Sequence, residues 1–525
     1  MSARPLRATG AAAAVATPHR AATEAAAAAF GAGGNALDAA LAAATTLAVV
    51  YPHQCGVGGD LFALVARPDG SVAAVNASGP APRGVDPGAV AGPDGRLPEF
   101  GPATVTVPGA VAGWGALHGL GAALPFRSAF GAAIRLAREG VPAVRSLADR
   151  LAAAQERLAA DPGMAAVFYP DGRPRSEGEP FVQPALADSL EAVAAEGPRA
   201  LFGGAVGRRL AAGLRELGSA VTLEDLAGFE PEVLAPLPGR YRDLEVLVVP
   251  PNSQGFTLLE ILAIVERLGI DPDPLGPDAG LVAAAFEAAA ADRDRHNADP
   301  RFAPVPVDEL LGEAHVEAVC RRLREGAPQP LPRPVGGDTV ALVAADGEGR
   351  MVSLVQSLWS SFGSGLLERS TGIVLHNRGA DFSLDPGSPN ALAGGKRPAH
   401  TLLPVLVRRD GRPVAASGSR GGGGQPQINY ASLVRVLDLG MTPADALDAP
   451  RYLVGGMDLH PARYAEVEAR VPPQVVETLR GAGYEVTALA DRDDAVGHAH
   501  LLLRGADGTF DVGTDPRADG SAWAR

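Results

Sequence analysis

A threonine that follows two glycines and an aspartate has the clearest catalytic potential in this sequence. Thr339 lies in "VGGDTVALVAADGEGRMVSLVQSLWSSFGSG", which runs from Val335 to Gly365. A threonine hydroxyl is a weak nucleophile unless a base removes its proton, and its own α-amine can be that base when the residue is N-terminal. That amine exists only if the Asp338-Thr339 bond is cut. Taken alone, an Asp-Thr pair before a strand is more often a matter of β propensity, so both interpretations stay open.

A glycine run could supply the second part of an acyl-transfer site. The segment "GSRGGGGQPQ", residues 418–427, follows a predicted strand and precedes a predicted helix. Consecutive glycine amides at a turn can donate hydrogen bonds to the oxyanion that develops during acyl transfer. A glycine run by itself is more often a flexible loop. A potential nucleophile and potential oxyanion donors in one chain together favour acyl transfer.

Other catalytic classes lack their motifs. The spacing Gly-x-Ser-x-Gly does not occur, and Gly395-Lys396 is followed by arginine where a phosphate-binding loop has Ser or Thr. His-Glu-x-x-His and paired-cysteine motifs are also missing. His53 in "YPHQCGVGG", and His498 and His500 in "GHAH", are better explained by structural hydrogen bonding than as a general base or as metal ligands. We therefore expect no metal and no organic cofactor.

Composition restricts the remaining classes. The chain has 525 residues, of which 46% are hydrophobic, and this fraction predicts a packed protein. Its net charge of −14 argues against nucleic-acid binding. Cys55 and Cys320 have no metal-ligand spacing and indicate no disulfide framework. The N-terminal alanine tract is interrupted by charged residues, and "ALDAALAAATTLAVVY" is too short to span a bilayer. We expect a cytoplasmic protein without a membrane segment.

Helix and strand patterns occur in blocks. Helices are predicted over residues 21–30, 36–50, 256–269 and 429–439 and repeatedly between 125 and 217. Strands are predicted in hairpins around 68–70, 410–411 and 507–508, in "LEVLVV", and in "TVALVAA", "RMVSLVQSL" and "GIVLHN" after Asp338. The proline-rich stretch from Gly312 to Gly336 predicts a loop or linker. Strands clustered between helical blocks indicate stacked sheets covered by helices.

Ten motifs resemble, in their order, those of the γ-glutamyltranspeptidase family of autoprocessing N-terminal-nucleophile amidohydrolases. They are "GGNALDAALAAATTLAVVYPHQCGVGGDLFALV", "PGAVAGW", "PPNSQG", "ADRDRHNADP", "GDTVALVAADGEGRMVSLVQS", "FGSG", "TGIVLHNRGADFS", "GGKRPAHTLLP", "GSRGGGGQPQ" and "TDPRADG". The pattern is most similar to the branch containing oxamate amidohydrolase and γ-glutamyltransferase-like proteins. The resemblance implies an α+β fold, a four-layer αββα sandwich, formed jointly by a large fragment, residues 1–338, and a small fragment, residues 339–525, of a cleaved precursor.

The resemblance also implies roles for single residues. Thr339 matches the family nucleophile, and Ser357 matches a hydroxyl that orients the amine of the nucleophile. Gly421 and Gly422 match the oxyanion-hole pair. Asp381 matches the acid that holds the α-amino group of the substrate, although a strand-end acid satisfied by backbone amides is an alternative reading of it.

Several positions depart from the family pattern. Ser78, in "VNASGPAP", stands where glutathione-acting members have an arginine that holds a carboxylate, and a serine cannot replace that bidentate contact. Trp359 replaces an asparagine, Arg378 an amide side chain, and His400-Thr401 a pair of serines. These changes predict a rebuilt substrate pocket, with Arg378 as a relocated carboxylate anchor or as a structural arginine paired with a nearby acid.

The implied activity is cleavage of an amide bond in a small carboxylate-bearing substrate through an acyl-enzyme. Thr339 would attack the carbonyl, the glycine amides would stabilise the oxyanion, and water or an amine would release the acyl group. One alternative is true γ-glutamyl transfer or glutathione hydrolysis, which Asp381 supports and Ser78 weakens. Another is an uncut, non-catalytic family member, which the intact nucleophile and glycine pair weaken.

Overall fold

Two antiparallel seven-stranded sheets form the centre of the molecule. The computed structural model describes residues 5–92, 95–326, 336–455 and 462–525. The strands in this part of the chain are β1 (Arg7–Gly10), β2 (Ala13–Thr17), β3 (Asp60–Ala66), β4 (Val72–Ala77), β5 (Val141–Pro142), β6 (Pro180–Phe181), β7 (Glu232–Leu234), β8 (Leu237–Tyr241), β9 (Leu244–Val248), β10 (Asp338–Asp346), β11 (Met351–Trp359), β12 (Leu367–Glu368), β13 (Ile373–Val374), β14 (Val405–Arg409), β15 (Arg412–Ser419), β16 (Tyr452–Val454), β17 (Tyr464–Glu468), β18 (Glu485–Leu489), β19 (Ala499–Arg504), β20 (Phe510–Thr514) and β21 (Ser521–Ala524).

The strand order mixes distant parts of the chain. The first large sheet has the order β21-β2-β10-β11-β3-β4-β7, and the second has the order β1-β20-β19-β15-β14-β9-β8. Three small sheets pair β12 with β13, β5 with β6, and β16 with β17 and β18. In both large sheets, strands that precede Asp338 are therefore hydrogen-bonded to strands that follow it.

Helices cover the outer face of each large sheet. They are α1 (Arg20–Gly31), α2 (Ala36–Val50), α3 (Pro87–Val90), α4 (Ala110–Gly119), α5 (Gly131–Glu139), α6 (Arg145–Ala153), α7 (Gln155–Leu158), α8 (Pro162–Phe168), α9 (Pro184–Glu196), α10 (Ala205–Glu216), α11 (Leu223–Ala227), α12 (Gly255–Leu268), α13 (Ala279–His296), α14 (Val307–Leu310), α15 (Glu313–Arg324), α16 (Gln425–Leu437), α17 (Pro443–Asp448) and α18 (Pro473–Gly481). Helices α1, α2 and α4 pack on the first sheet, and α12, α13 and α16 belong to the core on the second.

The alternation of side chains along β10 explains the layers. Val340, Leu342 and Ala344 pack in the core beneath the helices, whereas Ala341 and Val343 pack in the core between the two sheets. Residues at i and i+2 of a strand share one face, so a strand that is apolar at every position is buried on both faces. The predicted αββα sandwich is confirmed by this arrangement.

Most of the predicted elements agree with the structure. The helices predicted at 21–30, 36–50, 256–269 and 429–439 correspond to α1, α2, α12 and α16, and the three hairpins correspond to β3-β4, β14-β15 and β19-β20. The predicted strand "GIVLHN" is reduced to two residues, Ile373–Val374, which pair only with β12.

The loop prediction for residues 312–336 is wrong in its first half. Residues Glu313–Arg324 form α15, and residues 327–335 lie outside the described range. Val316, Val319, Cys320 and Leu323 of α15 are buried in the core beside the second sheet. Their spacing of three and four residues is that of an amphipathic helix, which the surrounding arginines and following prolines obscured.

Candidate active site

The Asp338-Thr339 bond lies at the beginning of β10, an interior strand of the first large sheet. Thr339 pairs with Ser357 of β11, and the pairing register shifts between Asp338 and Thr339. Thr339 Oγ1 donates to Ser357 Oγ at 3.1 Å, and Ser357 Oγ donates to the Asp338 carbonyl at 2.6 Å. The Trp359 amide donates to the same serine oxygen at 2.8 Å. A chain of hydroxyl groups therefore connects the threonine to the carbonyl of the preceding residue.

The glycine run forms a tight turn between β15 and α16. Gly421 and Gly422 have φ values of 139° and 51°, in the region that favours glycine, and Gly422–Gly424 form one 3₁₀ turn. The carbonyls of the turn are held from outside: Gln254 Nε2 donates to the Gly422 oxygen at 2.9 Å, and Arg293 donates to the Gly423 oxygen at 3.0 Å. Because its carbonyls are fixed, the amide groups of the turn have a fixed direction.

The segment before Thr339 lies directly on this turn. A Cβ atom placed on Gly337 would lie 2.9 Å from Gly422 Cα and 3.4 Å from Gly422 N. We find no hydrogen bond from the Gly421 or Gly422 amide to any other described residue. The Gly422 amide is therefore next to the residues that precede the Asp338-Thr339 bond.

A buried ion pair fixes Asp338. Arg420, the residue before Gly421, donates through Nε to Asp338 Oδ1 at 2.6 Å and also binds Asp494. The side chains of Asp338 and Arg420 are only 5% and 2% exposed. Burial alone would raise the pKa of Asp338, but the positive charges of Arg420 and Arg150 outweigh it and hold this pKa below its usual value. Asp338 is therefore charged, and it connects β10 to the glycine turn.

Arg378, Trp359 and Thr401 form a group that we call the candidate pocket wall, and Trp359 lies two residues after Ser357 on β11. The Arg378 guanidinium lies 3.9 Å from the centre of the Trp359 ring and donates two long bonds, each 3.4 Å, to Thr401 Oγ1. The side chain is buried, and its Nε has no hydrogen-bond partner in the described part of the chain. Burial lowers the pKa of Arg378, while the negative charges of Asp381 and Asp60 oppose that shift. Asp381 ends the same 3₁₀ turn, Arg378–Asp381.

Ser78 and His400 are held in buried networks behind this wall. Asn252 donates to Ser78 Oγ at 3.1 Å and to the Pro398 carbonyl at 2.7 Å. His400 Nε2 is 3.1 Å from Asp60 Oδ2, and burial together with the nearby Arg378 charge lowers the pKa of His400 to about 3. Both residues are fully buried. Both side chains are therefore held by other protein groups and are closed to solvent.

The three other histidines that the sequence analysis considered have nearby partners. His53 Nε2 is 3.2 Å from Ser146 Oγ, His498 Nε2 is 3.2 Å from Gln54 Oε1, and His500 Nδ1 is 3.0 Å from Thr514 Oγ1. Burial is the main cause that lowers the pKa values of His53 and His500 to about 3 and that of His498 to about 4. At neutral pH these three histidines are uncharged groups held by hydrogen bonds to other side chains.

Sequence reasoning missed the residues that support the site. Gln254 also donates to the Thr401 carbonyl at 2.7 Å, so it connects the pocket wall to the glycine turn. Arg293 donates to both Gln254 and the turn. Arg420 directly precedes the glycine pair, and this position was the only available signal for its role. Gln254 and Arg293 lie far from the turn in the sequence, and no local pattern indicates their contact.

Comparison with known proteins assigns the family. The family model described as gamma-glutamyltranspeptidase matches residues 22–524. The chain belongs to the γ-glutamyltranspeptidase family. The protein is therefore an amide hydrolase or acyltransferase of this family, and its sandwich is the fold of the N-terminal-nucleophile hydrolases. Both sequence predictions, of the family and of the fold, are confirmed.

Three relatives illustrate the range of the family. The oxamate amidohydrolase proenzyme of Klebsiella pneumoniae is 36% identical over 512 residues, which cover 96% of this chain and 97% of that protein. The glutathione hydrolase-like YwrD proenzyme of Bacillus subtilis is 35% identical over 512 residues and covers 97% of both chains. The crystal structure of cephalosporin acylase from Bacillus halodurans has a TM-score of 0.91 at 33% identity, covering 100% of this chain and 98% of that one. These names differ in substrate, so family membership alone does not select one.

In the described ranges, no helix is both long and apolar enough to cross a bilayer.

Proposed function

We propose that this member of the γ-glutamyltranspeptidase family cuts itself between Asp338 and Thr339 and then hydrolyses an amide bond of a small carboxylate-bearing substrate. The observation that carries the proposal is the hydroxyl chain from Thr339 through Ser357 to the Asp338 carbonyl, with distances of 3.1 and 2.6 Å. The same residues thus connect the potential nucleophile and the bond that must break. Residues 1–338 would form the large fragment and residues 339–525 the small one.

Self-cleavage would proceed through an ester. Thr339 Oγ forms a bond to the Asp338 carbonyl carbon, and the Ser357 hydroxyl stabilises the negative charge that develops on the carbonyl oxygen. The C–N bond then breaks, and the nitrogen takes the proton that the hydroxyl lost. Water hydrolyses the resulting ester, which releases the Asp338 carboxylate and restores the threonine hydroxyl. The product is a free α-amine on Thr339.

Amide hydrolysis would use the same hydroxyl with its new base. The α-amine accepts the proton of Thr339 Oγ as the oxygen attacks the substrate carbonyl, and it returns a proton to the leaving amine. Water then releases the acyl group. The amides of Gly421 and Gly422 are the proposed oxyanion donors. This role is supported by the hydrogen bonds from Gln254 and Arg293, which hold the carbonyls of the glycine turn. In the uncut chain Gly337 lies against Gly422, so the segment that ends at Asp338, the tail, must move before a substrate can bind.

The substrate class follows from the proposed carboxylate anchor, Arg378. A buried guanidinium that stacks on Trp359 and has an unpaired Nε retains donors for a planar anion. Thr401 adds a hydroxyl beside it. Ser78, which replaces the arginine of glutathione-acting members, is already bound by Asn252. These contacts support a short substrate with its carboxylate near the scissile amide, such as oxamate.

True γ-glutamyl transfer is the second candidate. Asp381 lies in the same short turn as Arg378, and an acid beside a cation could hold the α-amino and α-carboxylate groups of a γ-glutamyl donor. A relative named glutathione hydrolase-like also favours it. This candidate predicts that an acceptor dipeptide accelerates product release, whereas simple hydrolysis predicts no acceleration. A role in glutathione metabolism and the cytoplasmic location stay predictions of the sequence.

The first test is the covalent state of the purified protein. We expect two polypeptides by intact mass, the smaller with Thr339 at its N-terminus, and a single full-length chain for Thr339→Ala. Thr339→Ser, which keeps a hydroxyl, should still cut. A wild-type chain that stays whole after prolonged incubation would contradict the proposal and support a non-catalytic member.

The second test separates the substrate classes. Oxamate, succinamate and a γ-glutamyl anilide are offered to the cleaved enzyme with and without a dipeptide acceptor, and ammonia or aniline release is measured. Preferential turnover of the short carboxylate amides, independent of the acceptor, is expected. Turnover of the anilide alone, accelerated by the acceptor, would instead establish γ-glutamyl transfer.

A further inference from the structure

A histidine and two carboxylates meet among three helices behind the glycine turn. Glu260 lies on α12, Asp292 on α13 and His315 on α15. His315 Nε2 is 3.3 Å from Glu260 Oε1 and 3.0 Å from Asp292 Oδ2. In the described residues these three form the only group of histidine, cysteine and acidic side chains whose ligand atoms all lie within 4.8 Å of one another. No step of the proposed reaction uses them.

The distances agree with those around a bound metal ion. Ligand atoms about 2.0–2.2 Å from a tetrahedral or octahedral ion are separated from each other by about 3.0–3.5 Å. Both histidine-to-carboxylate distances lie in this interval. The three side chains come from different helices, so small movements of the helices can adjust the geometry without a change in fold. One imidazole nitrogen and two carboxylate oxygens would leave at least one position for water.

The burial of Glu260 supplies an independent indication. Its side chain is 0% exposed, and its Oε2 atom has no hydrogen-bond partner among the residues that the structure describes. A buried carboxylate oxygen without a donor is costly, because its lost hydration is not replaced. His315 is 26% exposed and Asp292 10% exposed, so the group can be reached from solvent. A cation that enters past His315 would satisfy the buried carboxylate.

We propose that Glu260, Asp292 and His315 form a binding site for one divalent cation of borderline softness, with Zn²⁺ as the best match. A mixed set of imidazole and carboxylate ligands suits Zn²⁺, whereas Ca²⁺ and Mg²⁺ prefer oxygen atoms alone. The site is structural. Asp292 is followed by Arg293, which holds both Gln254 and the Gly423 carbonyl, so the ion would fix the helices that support the glycine turn.

The test uses untagged, chelator-treated protein in its natural covalent state. Calorimetric titration with ZnCl₂ at neutral pH should give one equivalent bound, and Co²⁺ should give visible absorption bands of a nitrogen- and oxygen-ligated ion. His315→Gln and Glu260→Gln should each weaken binding by at least about 100-fold, more than the loss of an outer-sphere partner. His118→Gln is the matched control. His118 lies on α4, which packs on the other large sheet, and among the described residues the one hydrogen bond of its side chain is to the Leu124 carbonyl.

The outcomes are distinct. One-equivalent binding that both cluster variants lose and His118→Gln keeps would establish the site, provided that circular dichroism shows folded variants. No binding by folded wild-type protein, or equal binding by wild type and both variants, would overturn it and leave a purely hydrogen-bonded cluster. Because no step of the proposed self-cleavage or hydrolysis uses these three residues, failure here does not affect the proposed function.

Discussion

Replacement of Gly337 by alanine should slow self-cleavage without affecting the finished enzyme. The added Cβ would lie 2.9 Å from Gly422 Cα, whereas non-bonded carbon atoms pack at about 3.5–4.0 Å. The backbone must therefore move by roughly 0.6–1.1 Å, because both contacting groups are main chain and neither can rotate away. A displacement of about 1 Å can reduce the rate of a positioned reaction about 100-fold. We expect self-cleavage to slow by about 10- to 100-fold.

The assay starts from freshly refolded or cell-free-synthesised protein. The fraction of chain that is still full-length is measured over time by intact mass. Gly131→Ala is the matched control, because a Cβ there has no neighbour within 4 Å and its φ of −55° suits alanine. Gly337 does not have a positive φ, so an alanine at this position adds no backbone strain that would confound the result. After complete cleavage, kcat should equal that of wild type, since the tail must leave the glycine turn. A Gly337→Ala chain that cuts at the wild-type rate would refute the contact between the tail and Gly422.

Three further predictions concern the same site. Ser357→Ala should slow self-cleavage by about 100- to 1000-fold in the same mass assay, because it removes the donor to the scissile carbonyl, and unchanged cleavage would exclude the hydroxyl chain. Arg378→Lys should raise the KM for a carboxylate amide by about 10- to 100-fold in steady-state kinetics. The rate of self-cleavage, measured by intact mass, should change by no more than about twofold. An unchanged KM would refute Arg378 as the carboxylate anchor. In uncut Thr339→Ala protein, Asp338→Asn should lower the free energy of unfolding by about 2 kcal/mol at pH 7.5, measured by urea titration. Arg420 lowers the pKa of Asp338 in the folded state. The loss of stability should therefore be complete at pH values above the unfolded-state pKa of about 3.9, and it should shrink as the pH falls through the folded-state pKa. A loss that does not depend on pH would contradict this reasoning.

The layers of the fold could be predicted because local pattern and global structure agree in them. The strands β10 and β11 each contain a run of mostly apolar residues, and the Gly-containing turn between them marks a hairpin. Helix α15 was missed because arginines separate its four buried residues and prolines follow it. The strand predicted at "GIVLHN" failed because only Ile373 and Val374 find a partner, in a chain segment that then turns toward Arg378.

The contacts of the candidate site could be predicted only in part. Position in a motif indicated Thr339, Ser357 and the glycine pair, but the sequence could not show that Arg420 bonds to Asp338 across 82 positions. The same limit applies to Ser78. Its exchange for the expected arginine was visible, whereas its capture by Asn252, 174 positions away, depends on tertiary packing. Long-range polar contacts have no spacing rule, unlike the periodic burial of helices and strands.

The interleaved strand order has a consequence for the cleaved enzyme that we propose. Strands β2 and β3 of the proposed large fragment flank β10 and β11 of the proposed small fragment, and β9 borders β14 in the second sheet. Neither proposed fragment contains either large sheet complete, so each exposes unpaired edges and part of the core when alone. The Asp338-Thr339 peptide bond would thus be needed for the sandwich to fold, but not for the folded sandwich to stay assembled. Two fragments produced separately should fail to reconstitute, whereas the cut enzyme should come apart only when it unfolds.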